Sequence, residues 1–268
     1  MNPVNRMISD SFPILVLAGM LAATAPAAAQ VPDRDYGDSP ENALAYPATG
    51  QIGNFPTCLP APFVRHGLGW ARFVSAGPQP TWDPEFDGNA GTCPPPPYDL
   101  DECFADGDAG LVMPTAFTIV GNNVVPCPLV ATPVSLGGSC TMARVQAMVI
   151  NNMPVPGFIN VLFDWDLNGT WAGAWQCPGA LAPEHAVVDF LIPVGFNGLW
   201  TSPPFLIGGP NTVHHVWMRL EIAERQVGPG WNGSGDFEDG ESEDYLVRID
   251  ATIPVDEGTW GWIKSVYR

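Results

Sequence analysis

Basic residues are scarce in this 268-residue chain. Ten Lys and Arg, with a single lysine at Lys264, stand against 28 Asp and Glu, a formal net charge of −18. Such a surface repels phosphate backbones and anionic headgroups, which argues against nucleic acid and acidic membrane as partners. No Cys-x-x-Cys pair occurs, so the spacing of a structural zinc site is missing. His-Glu-x-x-His, Gly-x-Ser-x-Gly and a glycine-rich phosphate loop are also absent, and no compact catalytic motif points to an enzyme. With 29 Gly and 30 Pro there is no room for the long helices of a bundle. Beyond residue 29 no apolar run reaches the roughly 18 residues of a membrane helix. No internal repeat is present.

What is there begins with a leader. Arg6 supplies a basic start, residues 12–23 an apolar stretch, and Ala27-Ala28-Ala29 a small-residue cleavage site, so residues 1–29 read as a signal peptide. The expected location is therefore extracytoplasmic, secreted or at the cell surface. Six cysteines follow: Cys58, Cys93, Cys103, Cys127, Cys140 and Cys177. An even count in an exported chain reads as a disulfide framework. Sequence leaves the pairing open, with Cys93–Cys103 and Cys127–Cys140 favoured by their short loops.

Residues 30–110 are polar, turn-rich and proline-rich, and predict loops stapled by disulfides with one or two short strands, one of them near 71–75. From Leu111 the texture changes. Apolar runs of strand length recur at 111–120, 141–151, 158–165, 186–193, 213–223 and 245–249. Ala143, Val145, Ala147 and Val149 alternate with Arg144 and Gln146. Val216, Met218, Leu220 and Ile222 alternate with Trp217, Arg219 and Glu221. A period of two predicts strands in a sheet with one wet side. The expected fold is all-β, an antiparallel β-sandwich of jelly-roll or Ig-like type over 111–250. The tail, 251–268, carries Trp260, Trp262 and Tyr267, with Thr259 placed to cap a short helix.

The sharpest chemical signal is Asp164-Trp-Asp166-Leu-Asn168-Gly169-Thr170. Oxygen ligands on alternate residues of a tight loop converge on one point, and this spacing is the first half of a calcium loop, with Thr170 offering its carbonyl. Trp175 stands where that loop normally carries Glu, so carboxylates from elsewhere must complete it. Glu241 and Glu243 are the candidates, from a run with six carboxylates between Asp236 and Asp244. The competing reading is an acidic turn without metal. Further acidic stretches lie at 83–88 and 99–108. Trp171, Trp175 and Trp231 are candidates for stacking on a sugar or peptide, against a reading in which the ten tryptophans fill the core. A hydrolase built on two carboxylates is a third, weaker reading. His214 and His215 are neighbours in a strand, so their side chains take opposite faces and do not share a metal.

Gly240-Glu241-Ser242-Glu243-Asp244-Tyr245, followed by alternating Leu-Val-Arg-Ile, resembles the closing motif of the bacterial GEVED domain. The strand entering Asp164-Trp-Asp166-Leu-Asn168-Gly169 resembles that domain's acidic turn. Asp35-Tyr-Gly-Asp38-Ser-Pro40 is similar to an opening motif found upstream in such proteins. The resemblance covers residues 141–249 and, more loosely, the N-terminal part. It implies a β-sandwich module of exported or surface proteins with no catalytic activity to carry over. The combined expectation is an exported, non-enzymatic β-protein, structural or adhesive, stabilised by Ca2+, with a surface glycan or protein as partner.

Overall fold

The computed structural model describes residues 34–35, 37–57, 63–67, 69–74, 110–127 and 132–252. The leader, Cys58, Cys93, Cys103, the acidic stretches 83–88 and 99–108, and the tail beyond Thr252 lie outside these residues, and so does the expected Cys93–Cys103 bridge.

Strands β1 (Arg34–Asp35), β2 (Glu41–Tyr46), β3 (Gln51–Asn54), β4 (Val64–Gly67) and β5 (Ala71–Phe73) form the N-terminal part, more strand than its turn-rich composition predicts. Then follow β6 (Leu111–Met113), β7 (Ala116–Val120), β8 (Asn123–Pro126), β9 (Gly137–Gly138), β10 (Met142–Ala143), β11 (Gln146–Asn151) and β12 (Gly157–Phe163). The rest are β13 (Ala174–Cys177), β14 (Ala180–Pro183), β15 (His185–Ile192), β16 (Asn197–Thr201), β17 (Phe205–Leu206), β18 (His214–Ala223), β19 (Gly235–Asp236) and β20 (Gly240–Asp250). No helix among the described residues is long and apolar enough to cross a membrane.

The largest sheet runs β15-β12-β18-β20-β7-β8, with β9 added parallel to β20. A second runs β16-β11-β5, with β6 also on β11. The sheets are antiparallel in the main and open rather than closed into a barrel. Residues 111–120, expected as one strand, divide at Pro114. Proline has no N–H for a ladder, and the chain passes there from β6 in the smaller sheet to β7 in the larger.

One core serves both sheets. Phe73, Ala147, Val149 and Trp200 of the smaller sheet cluster with Ile159, Val161, Phe163, Val216, Met218, Leu220, Ile222, Tyr245 and Val247 of the larger. Each such side chain contributes about 1.5–3 kcal/mol by leaving water. The alternation read from 141–150 and 214–222 is the alternation that faces this core.

The other face of β18 departs from expectation. Trp217 is 3% exposed, and Arg219 and Glu221 are fully buried. The face is dry because the N-terminal part lies over it. Ala45, Tyr46 and Phe55 pack on Leu162, Trp171, Trp217 and Leu246 in a second core. Arg219 places its guanidinium 4.4 Å from the Trp171 ring and donates to the carbonyls of Pro56 and Gly233. Its Nε donates to Asp244 Oδ1 at 2.8 Å, completing a buried ion pair.

Cys140 bonds Cys177, not Cys127. Loop length favoured the nearer partner. The fold instead sets the Cα atoms of Cys140 and Cys177 5.5 Å apart, because the Cys140 N–H binds Ile207 O and the Cys177 sulfur lies 3.6 Å from that same carbonyl. Cys127 is disulfide-bonded as well.

Candidate metal centre

β12 ends at Phe163, and the acidic turn begins at once. Asp164 Oδ1 accepts the Asn168 N–H at 3.0 Å, and Oδ2 accepts the Gly169 N–H at 2.8 Å. Asp166 accepts the Asn168 backbone N–H at 3.1 Å and the Asn168 side-chain N–H at 3.0 Å. Asn168 Oδ1 in turn accepts the Thr170 N–H at 2.8 Å and hydroxyl at 2.6 Å. Short acidic side chains thus bind their own backbone two to five residues on, which is why Asp and Asn build such turns. Gly169 has φ +85°, and a Cβ there would stand 2.6 Å from Ile52 O, so only glycine fits. Gly169 O accepts the Asn54 N–H at 2.7 Å and ties the turn to the β2–β3 hairpin.

The third carboxylate is Glu184. The antiparallel β12–β15 pairing carries the ladder to Phe163, whose N–H binds Glu184 O at 2.9 Å. Glu184 Oε1 accepts the Trp165 N–H at 3.1 Å, and Oε2 the Gly173 N–H at 2.6 Å. One oxygen from each of Asp164, Asp166 and Glu184 lies within 4.8 Å of the others. Asp164 and Glu184 are fully buried, and Asp166 is exposed at the mouth.

Burial raises the Asp164 carboxyl to about 7, against the pull of its hydrogen bonds from Tyr46, Gly169 and Asn168. Burial raises Glu184 to about 7 as well, helped by the charges of Asp164 and Asp166. Tyr46 donates its hydroxyl proton to Asp164 Oδ2 at 2.8 Å and accepts the Trp217 N–H at 3.2 Å. Its own pKa is pushed well above the ordinary value by burial and then by Asp164. Three converging carboxylates form a hard-oxygen donor set that suits Ca2+ or Mg2+ rather than zinc or copper. A bound cation inverts the local electrostatics and favours the ionised form of all three.

Of the residues singled out by sequence, Asp164, Asp166, Asn168 and Thr170 share the turn. Asn168 Oδ1 is engaged by Thr170, and the Asn168 carbonyl accepts Gln51 Nε2 at 3.0 Å. Glu241 and Glu243 do not join them. Strand parity puts both on the face of Tyr245 and Val247, opposite the face that carries Trp217 and Asp164. Glu241 accepts the Phe73 N–H, and Glu243 the Tyr245 hydroxyl at 3.4 Å. Asp239, in the same run, accepts the N–H groups of Trp70, Ala71 and Gly240. The acidic closing motif thus binds β5 and its approach rather than the turn.

Glu184 and Tyr46 were not legible as site residues. No local motif marks either. The only available signal was the β12–β15 pairing, which aligns Leu162 with His185 and so brings residue 184 beside 163–164. Among the described residues Trp165, Trp171, Trp200 and Trp217 are core, whereas Trp70 is exposed. Trp171 is 1% exposed, Trp200 sits in β16 at 3%, and Trp175 and Trp231 are half-buried. Ser242 Oγ lies 3.0 Å from His66 Nε2, the spacing of a nucleophile and base. Both are fully buried, and burial lowers His66 to about 3.

Comparison of the chain with protein-family models and with curated proteins returns no match.

Proposed function

We propose that this chain is an exported, non-enzymatic β-sandwich of the GEVED type that serves a structural or adhesive role at the cell surface, with calcium stabilising it at the acidic turn. One observation carries the metal reading: the convergence of Asp164, Asp166 and Glu184, two of them buried carboxylates raised to about 7. Buried like charges are costly unless protonated or paired with a cation. Asp164, Asp166 and Glu184 would hold the ion, with backbone carbonyls and water supplying the remaining oxygen ligands that calcium takes. The closing and opening acidic motifs support the family reading, and the Cys140–Cys177 disulfide supports an oxidising compartment.

Thermal unfolding with millimolar calcium and then with a chelator tests this. A ligand at about 100 times its Kd that binds only the folded state adds ~2.7 kcal/mol. The expected rise in Tm is roughly 5–10 °C. It disappears in Asp164→Ala and in Glu184→Gln, and persists in Glu243→Gln if that variant folds. A Tm that ignores calcium in the wild type removes the metal from the account.

A further inference from the structure

A cavity of about 370 Å3 opens beside the turn after β2. Tyr46, Pro47, Leu167, Val213 and Leu246 form much of its wall, which is chiefly apolar. His214 and His215 also border it, but the Nε2 of each is fully buried and serves no occupant. Val213 at the rim is 57% exposed, so apolar surface continues to the mouth. Such a surface selects a bulky apolar occupant that needs no hydrogen-bonding head.

The path of the chain supplies one. Thr252, two residues beyond β20, donates its N–H to Asn211 Oδ1 at 2.6 Å, and Asn211 Nδ2 donates to Thr252 O at 3.4 Å. Asn211 stands between Pro210 and Thr212, and both of these line the cavity. The chain therefore passes Thr252 beside the cavity wall. Trp260 and Trp262 follow eight and ten residues later. Eight extended residues span up to about 26 Å, so either ring can reach the mouth. A tether this short sets an effective concentration in the roughly millimolar range. An indole side chain buries about 150–250 Å2, a large apolar area to remove from water. Charge agrees. Residues 259–268 carry Lys264 and Arg268 and no acidic residue, in a chain of net charge −18. Asp166, exposed, precedes Leu167 of the wall.

We propose that segment 259–268 folds back onto this cavity of its own chain and fills it with an indole side chain, Trp260 or Trp262. Its basic residues then lie toward the acidic turn. The assignment does not depend on calcium at that turn.

Lys264 is the only lysine, so a lysine-specific protease cuts the full chain once, after Lys264. When docking is fast relative to cleavage, the rate follows the undocked fraction. Each rate is divided by that of the same variant unfolded in urea, which removes any direct effect of the substitution on the protease. On that scale the wild type is expected to be cut about tenfold more slowly than Trp260→Ala/Trp262→Ala, which lacks the plug. Ala48→Trp, on the exposed turn, fills the mouth and speeds cleavage by a similar factor. Val213→Trp at the rim replaces it if that variant does not fold. Leu191→Trp, exposed on β15 and off the cavity wall, leaves the rate unchanged. A wild type cut as fast as the double tryptophan variant overturns the proposal. Faster cleavage in that variant without faster cleavage on filling the mouth places the segment elsewhere and overturns the cavity as its dock. Protection that grows with protein concentration assigns the segment to a second copy and overturns the contact within one chain.

Discussion

Ser39 donates its backbone N–H to Asp244 Oδ2 at 2.8 Å, across 205 residues of sequence. The opening acidic motif and the closing one therefore meet on a single buried carboxylate. Arg219, from β18 between them, donates to the other oxygen and also reaches Ser39 Oγ at 3.3 Å. A Cβ on Gly37 would stand 2.1 Å from Arg219 Nη2, so glycine in the opening motif leaves the room the guanidinium needs.

This arrangement predicts a large effect from a single change. Asp244→Ala strands a buried guanidinium and is expected to cost about 3–5 kcal/mol. Urea unfolding measures it. A double variant, Arg219→Met with Asp244→Leu, is expected to cost clearly less than the sum of the two single changes, because no lone charge remains. Additive losses would show that the two side chains act independently.

The acidic turn predicts a pH dependence of definite sign. Asp164 and Glu184 titrate near 7 in the folded chain, against about 4 for ordinary carboxylates. In chelator the folded state binds the extra protons. Their contribution is complete below about pH 4 and is lost as pH rises through 7. Calorimetry is expected to show Tm falling between pH 5 and 8 without metal, and falling less with calcium. Equal slopes in the two conditions would dissociate the cation from these carboxylates.

Glu221 supplies a second titration. It is fully buried on β18, and neither oxygen has a hydrogen-bond partner. His66 Nε2 lies 3.8 Å away, and Asn160 and Ser242 are its ladder neighbours. Burial pushes its pKa well above the ordinary value; Asp189 and Glu224 add to the rise, while Arg219 and Arg225 oppose it. Burial therefore favours the protonated form of this carboxyl, a requirement that weighs more on folding as pH rises. Its contribution is complete below the ordinary glutamate pKa and declines as pH rises. Glu221→Gln keeps the shape without that requirement. Its urea midpoint is expected to exceed that of the wild type, by a margin that widens from pH 5 to pH 9. A margin independent of pH would place the ionisation elsewhere.

The Cys140–Cys177 bridge closes a loop of sequence separation 37. Replacing both residues with Ala is expected to cost about 2–5 kcal/mol, read as a lower midpoint in urea. Peptide mapping of the unreduced protein checks the connectivity, and a Cys127–Cys140 peptide would contradict it.

Alternation made β11 and β18 legible, because a residue facing a core must be apolar and its neighbour need not be; apolar runs marked β12, β15 and β20, whereas β13, β14, β16, β17 and β19 were not read from the sequence. Local spacing also located the acidic turn, since Asp164, Asp166, Asn168 and Gly169 are local neighbours that build the turn with their own backbone. Of the N-terminal strands only β5 was legible, as the short strand expected near 71–75. β1 to β4 are short, and the β2–β3 hairpin takes its burial from packing on the large sheet rather than from a period of its own.

Sequence by itself determined the all-β class, the core face of β11 and β18, and the two-to-five-residue bonds within the turn, all of which depend on spacing along one segment. Only the tertiary structure decided the rest. It chose Glu184 over Glu241 and Glu243 as the carboxylate beside Asp164, paired Cys140 with Cys177, and dried the face of β18 that carries Arg219 and Glu221. Each of these depends on which distant segments share a sheet or cover its face. Strand register sets that geometry, and a shift of one residue would turn every side chain to the other side.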